Sequence, residues 1–205
     1  MDAQSFWQDF IRAIQKNRTV LENCWNDKTE FTAAMKELIT KVIRAKKPSE
    51  QYVIQPEYFN IDLVEWEQKK LAAKEYLFVP EESTSFRLEK YAWNLDIAVE
   101  HENEKQLWMD EVVKLAHIFA KLRVVIGYLP RRENQERTWQ LQKAYLNAVA
   151  DTVSTLHCCD NMDHGDFLVI LGDVDGNEAT AFEKLAYTPY LYKKGEKGEF
   201  VRQCW

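Results

Sequence analysis

The sequence predicts an α/β domain built on a mixed β-sheet with helices on both faces. Three observations carry this. A strand, a helix and a second strand follow one another between Trp93 and Leu129, in the order of a βαβ-like crossover. Two amphipathic helices come before any strand, and the chain closes on two β-forming segments joined by the turn Lys193-Lys194-Gly195-Glu196-Lys197-Gly198, which reads as a C-terminal hairpin. A length of 205 residues, 46% of them hydrophobic, suits a single domain over 1–205 with a sizeable core, and only six Gly and five Pro leave little room for linkers.

Apolar residues at Phe6, Trp7, Phe10, Ile11, Ile14, Val20 and Leu21 recur near helical spacing and predict one helix from Ser5 to about Cys24. Asp27, with Glu30 three residues on, opens a second helix as a capping box would. Phe31, Met35, Leu38, Ile39, Val42 and Ile43 mark its buried face, and Lys46-Lys47-Pro48 ends it. Gln51 to Ile54 reads as a short strand and Tyr58 to Trp66 as a longer one, rich in aromatic and β-forming residues. Between Glu67 and Tyr91 lie a strand at Tyr76 to Val79 and the turn Pro80 to Ser85, an excursion before the principal strand. That strand, Trp93 to Asn103, is followed by an apolar helix from Lys105 to Leu122 and by the nearly all-apolar Arg123 to Leu129, which suits a strand covered on both faces. Arg137 to about Leu156 return to helix, Phe167 to Leu171 form a further strand, and Asp173 to Asn177 turn.

Composition removes several functions. With 27 basic against 33 acidic residues the net charge is −6, which opposes nonspecific attraction to nucleic acid or anionic membranes, so a polyanion must be met by a local patch. Candidates are Lys41, Arg44, Lys46 and Lys47, then Arg131-Arg132, then Lys193, Lys194 and Lys197. No apolar run is long enough for a membrane span. The four cysteines form no Cys-x-x-Cys pair and no signal peptide precedes them, which predicts a reducing, cytoplasmic setting. His157-Cys158-Cys159-Asp160 with His164 holds zinc-capable side chains, but adjacent cysteines without a paired knuckle fit structural zinc poorly. Phosphate-binding glycine loops and the Gly-x-Ser-x-Gly elbow are absent from the sequence.

Chemistry concentrates at the end of the principal strand. Side chains alternate along a strand, so Glu100 and Glu102 would share a face with their Cα atoms roughly 7 Å apart. Two carboxylates at the end of an apolar strand repel each other and resist desolvation, and Mg²⁺ or Mn²⁺ is the usual compensator. Asp96 shares the face but lies roughly 13 Å from Glu100 along an extended strand, too far to join it on one ion. Asp62, among apolar neighbours on the preceding strand, would stand beside Glu100 if the two strands pair, and a buried Asp is costly unless used or satisfied. His101 faces the other way and reads as packing. Lys114 belongs to a polar stripe with Asp110, Glu111, His117 and Lys121, a pattern that usually faces solvent.

An acid on one strand, Glu-x-acid at the end of the next, then a helix and an apolar strand resembles the restriction-endonuclease-like PD-(D/E)XK superfamily. The likeness rests on Asp62, Val99-Glu100-His101-Glu102-Asn103, the helix with Trp108 to Leu115 and the strand Arg123 to Tyr128, about a third of the chain. It implies a mixed sheet flanked by helices and Mg²⁺-dependent (or Mn²⁺-dependent) hydrolysis of phosphodiester bonds in nucleic acid, DNA ahead of RNA. Asp62 and Glu100 would hold the metal. Glu102 stands where the family usually has Lys, and Lys114 on the next helix looks like a relocated lysine. The family's proline is missing before Asp62 and before Asp96. A helix acid such as Glu37 would assist. The departures leave open a member of the same fold without catalysis, acting as a binding or regulatory module. Enzymes that cut both strands of a duplex often work as dimers, so a homodimer is one assembly open to a catalytic member, although the sequence does not reveal the oligomeric state.

Overall fold

A computed structural model describes residues 1–46, 52–58, 60–68, 93–104, 107–156, 164–174, 185–194 and 198–205. Among them are α1 (Ala3–Lys16), α2 (Arg18–Cys24), α3 (Lys28–Arg44), β1 (Tyr52–Tyr58), β2 (Ile61–Gln68), β3 (Trp93–His101), α4 (Trp108–Ala116), β4 (Leu122–Pro130), α5 (Gln135–Ser154), β5 (Asp166–Val174), β6 (Ala186–Lys193) and β7 (Glu199–Arg202). The seven strands make one mixed sheet in the order β1-β2-β3-β4-β5-β6-β7. β3, β4 and β5 run parallel, and every other pairing is antiparallel.

Parallel neighbours need crossovers, and α4 and α5 supply them between β3 and β4 and between β4 and β5. Both lie on one face of the sheet, where Trp108, Val112, Leu115, Leu146, Val149 and Val153 pack on Ala98, Val125, Val169 and Leu171. The opposite face carries α1 to α3, whose Phe6, Phe10, Phe31, Met35 and Ile39 pack on Val99, Val124, Ile126 and Ile170. Period-2 alternation thus feeds two cores from the same central strands, which is why β4 and β5 read as unbroken apolar runs. The expected α/β class, the helices on both faces and the terminal β6–β7 hairpin are all present.

Several boundaries differ from those read off the sequence, each for a local reason. The first helix is two, because Asn17 turns its side-chain amide onto the Ala13 carbonyl at 2.8 Å and competes with the backbone ladder there. Three N-terminal helices therefore replace the expected two. Asp27 caps α3 as expected, accepting from the amides of Thr29 at 2.9 Å and Glu30 at 3.0 Å. The strand expected from Tyr58 to Trp66 is interrupted: Tyr58 pairs with Ile61 across a tight turn, with Asn60 in the left-handed region at φ 60°. β3 stops at His101, so Glu102 and Asn103 lie beyond the strand, although the Glu102 amide still reaches the Ile126 carbonyl at 2.9 Å. α4 ends at Ala116, well short of Leu122. The expected strand at Tyr76 to Val79, the turn Pro80 to Ser85, the His157 to Asp160 cluster and most of the Asp173 to Asn177 turn lie outside the described residues.

One close approach fixes α4 over the sheet. A Cβ on Gly127 would come within 2.5 Å of Trp108 Cβ, and Trp108 is fully buried at the start of α4. Gly127→Ala is therefore expected to destabilise the protein by about 1–3 kcal/mol through overpacking. A thermal melt that overlays the wild type would show that α4 is free to shift away.

Candidate functional site

The carboxyl end of β3 is where the fold brings charged side chains together. β2 and β3 pair with Leu63 opposite Val99, so Asp62 stands next to Glu100 one residue further along. The Asp62 amide donates to Glu100 Oε2 at 3.3 Å, and the His101 amide donates to Asp62 Oδ2 at 2.8 Å. The expected cross-strand meeting of these two acids occurs. Its cause is the antiparallel pairing of an early strand onto the first strand of the crossover unit. Ligand sites in α/β sheets gather at such carboxyl ends, beyond the last hydrogen-bonded pair.

Two lysines close on the pair from opposite faces of the sheet. From α4, Lys114 Nζ lies 2.7 Å from Glu100 Oε1, contacts Glu111 one turn earlier, and donates to the Asn60 carbonyl at 2.8 Å. From α3, Lys36 Nζ lies 2.9 Å from Asp62 Oδ1 and contacts Glu57 on β1. Lys114 is half-buried, so its stripe on α4 does not simply face solvent. Sequence reading missed Lys36 altogether, because its partners lie more than 20 positions away in the chain. Glu37, its neighbour, instead pairs with Lys41 on the exposed side of α3 at 2.7 Å.

Burial makes the Glu100 carboxyl hard to ionise. It is 2% exposed, and desolvation pushes its pKa up to about 8, with Glu111 and Asp62 adding repulsion and Lys114 opposing. Burial alone would pull the Lys114 ammonium down, but its contacts with Glu100 and Glu111 more than offset this and hold it above its ordinary value. Glu102 is half-buried and folds back to accept the Glu104 amide at 2.6 Å; burial lifts its pKa, that hydrogen bond opposes, and Glu104, Glu111 and Asp62 add to the lift. It thus shares the electrostatic surroundings of Asp62 without extending the strand.

His101 points away from these acids, as the alternation requires. Its Nε2 meets the Tyr128 hydroxyl at 3.0 Å, Tyr128 meets Tyr187 at 3.1 Å, and burial lowers the imidazole pKa to about 4. The ring is neutral packing. Asp96 serves the other end of the strand, 2.8 Å from Lys121. His164 lies against the Phe119 ring, and its carbonyl accepts from Arg123 at 2.9 Å.

Of the basic groups proposed to meet a polyanion, several are already engaged. Lys41 pairs with Glu37, Lys46 with Asp9 at 3.1 Å, and Arg131 with the buried Asp173 at 3.1 Å, while Arg132 is exposed.

The acids at this site are oxygen donors of the type a hard divalent cation takes. Glu57, Asp62, Glu100 and Glu111 set four carboxyl groups against the ammoniums of Lys36 and Lys114. Among the described residues no three His, Cys, Asp or Glu side chains are grouped as a complete ligand set. Mg²⁺ seldom asks for one, since it commonly takes one or two carboxylates and leaves the rest of its shell to water and substrate phosphate. No protein-family model, curated protein or solved structure matches this chain. Among the described residues no helix is long and apolar enough to cross a membrane.

Proposed function

We propose that this chain is a Mg²⁺-dependent nuclease-like protein that hydrolyses phosphodiester bonds in nucleic acid, DNA ahead of RNA, on a restriction-endonuclease-like fold. The observation that carries the reading is the opposition of Asp62 and Glu100 at the end of β3, with Lys114 on the Glu100 carboxylate. Asp62 and Glu100 are the metal-holding acids, and Glu102 is the third acid beside them. A bound cation would activate water and offset charge on the phosphoryl oxygens. The protein's own share is placement: the His101 amide fixes Asp62, the Asp62 amide fixes Glu100, and Lys114 brings positive charge to where phosphate oxygens would lie. A cytoplasmic setting is what this reading expects, with a homodimer as one assembly open to it.

A second reading is favoured by a specific observation. Each of the two acids already holds a lysine, the arrangement expected of a non-catalytic module in which ammoniums have taken over the cation's part. Titrating Mn²⁺ into wild type and Glu100→Ala by calorimetry separates the two. Binding that is lost in the variant supports the nuclease reading and justifies a cleavage screen; a wild type that takes up no Mn²⁺ favours the module.

A further inference from the structure

The turn between β1 and β2 is tied down from both sides of the sheet. Glu57 and Asn60 flank it with φ of 52° and 60°, in the left-handed region, which Asn tolerates and Glu seldom enters. The same pair of lysines that meets the acids also reaches these two residues. Lys36, from the α1–α3 layer, contacts both Glu57 and Asp62; Lys114, from the α4–α5 layer, contacts both the Asn60 carbonyl and Glu100.

We propose that Lys36 is a positioning residue of this site: with Lys114 it fastens the β1–β2 turn across the Asp62–Glu100 pair and occupies the place of a cation on Asp62, so that the fastened turn and a bound divalent cation compete. This rests on the reading of Asp62 and Glu100 as cation ligands. The geometry leaves little room for both. Asp62 Oδ2 is taken by the His101 amide at 2.8 Å, which leaves Oδ1, and Oδ1 is where Lys36 sits at 2.9 Å. A Mg²⁺ bound to Oδ1 at its usual distance would lie no more than about 5 Å from that ammonium, inside the range of strong like-charge repulsion. Cation entry therefore displaces Lys36, and displacement frees Glu57 and loosens the turn. Lys114, released from Glu100 by the same event, gives up the Asn60 carbonyl. The acids and the turn are one mechanical unit.

The test uses the full chain with Lys36→Met, which keeps the aliphatic length and removes the charge, beside Lys36→Arg, which keeps the charge. Without metal, Lys36→Met is expected to speed amide exchange at Glu57, Asn60 and Asp62 about fivefold while the amides of buried β4 stay as in wild type, the upper size expected for loss of a partly exposed ion-pair contact. Mn²⁺ titration is expected to show about tenfold tighter binding to Lys36→Met than to wild type, with Lys36→Arg close to wild type. Unchanged exchange at the turn overturns the fastening. Wild type that binds Mn²⁺ with no gain in Lys36→Met overturns the competition and leaves the metal reading standing; no Mn²⁺ binding by either protein overturns both together.

Discussion

Between about pH 6.5 and pH 8 the metal-free protein is expected to lose about 2 kcal/mol of stability, and Glu100→Gln is expected to abolish that loss. The sign follows from the direction of the shift. Glu100 has its folded pKa raised from 4.5 to about 8, so over this interval the folded state keeps a proton that the unfolded chain has given up. Stability then falls as pH rises, and it levels off above the folded pKa. His101 works in the opposite sense. Its folded pKa is lowered from 6.5 to about 4, so stability falls as pH drops through that lower interval. The two slopes oppose each other between about pH 4.5 and 6.5, and only the Glu100 slope remains above it. Denaturant titrations at a series of pH values read this directly. A flat profile from pH 6.5 to 8 in wild type would mean that Lys114 keeps Glu100 ionised throughout. Saturating Mn²⁺ should reverse the alkaline loss, because a ligand that binds only the folded state stabilises it.

Arg131→Met is expected to cost about 3–5 kcal/mol, and Arg132→Met almost nothing. The two arginines are adjacent in sequence and read together as a patch for a polyanion, but the fold separates their roles. Arg131 sets its Nε and Nη2 3.2 Å and 3.1 Å from Asp173 Oδ2, and Asp173 is fully buried on β5. Removing the guanidinium leaves a carboxylate in the core without this partner, the situation in which breaking a buried pair is most damaging. The Arg132 side chain is exposed, and its structural contact is made by its backbone amide to Thr138 Oγ1 at 3.0 Å, which the substitution leaves in place. Equal stability of the two variants in chemical denaturation would place the Asp173 charge within reach of another partner or of water.

Much of this fold was legible because its signals are local. An apolar stretch ending in paired carboxylates marked β3, apolar runs marked β4 and β5, and Asp27 marked the start of α3. The meeting of Asp62 with Glu100 was legible for the same reason: it needs only that two adjacent strands pair in the register their apolar faces demand. What was misread lay where neighbouring residues share a propensity but not a conformation. Tyr58 and Ile61 both favour strands, and the one local sign of the turn between them was Asn60, a residue that tolerates the left-handed region. Asn17 gave a similar sign inside a helical pattern. Lys36 had no local sign at all, since nothing in the spacing of α3 announces which carboxylates from β1 and β2 will arrive beside it.

The sequential order of the sheet has a consequence for how the chain assembles. Among the described residues each strand after the first pairs with the one before it, so this sheet can be laid down in the direction of synthesis without one of these strands being inserted between two that have already paired. The first helix breaks that economy. The Ala3 amide at its start is held by Asp166 Oδ2 at 2.8 Å, at the beginning of β5. The contacts of α1 with α3 can form early, but the Ala3 hydrogen bond to β5 and the edge-on packing of Phe10 against Tyr187 of β6 wait for strands made much later. Until those strands emerge, the side of α1 that meets β5 and β6 in the folded protein has no sheet to rest on.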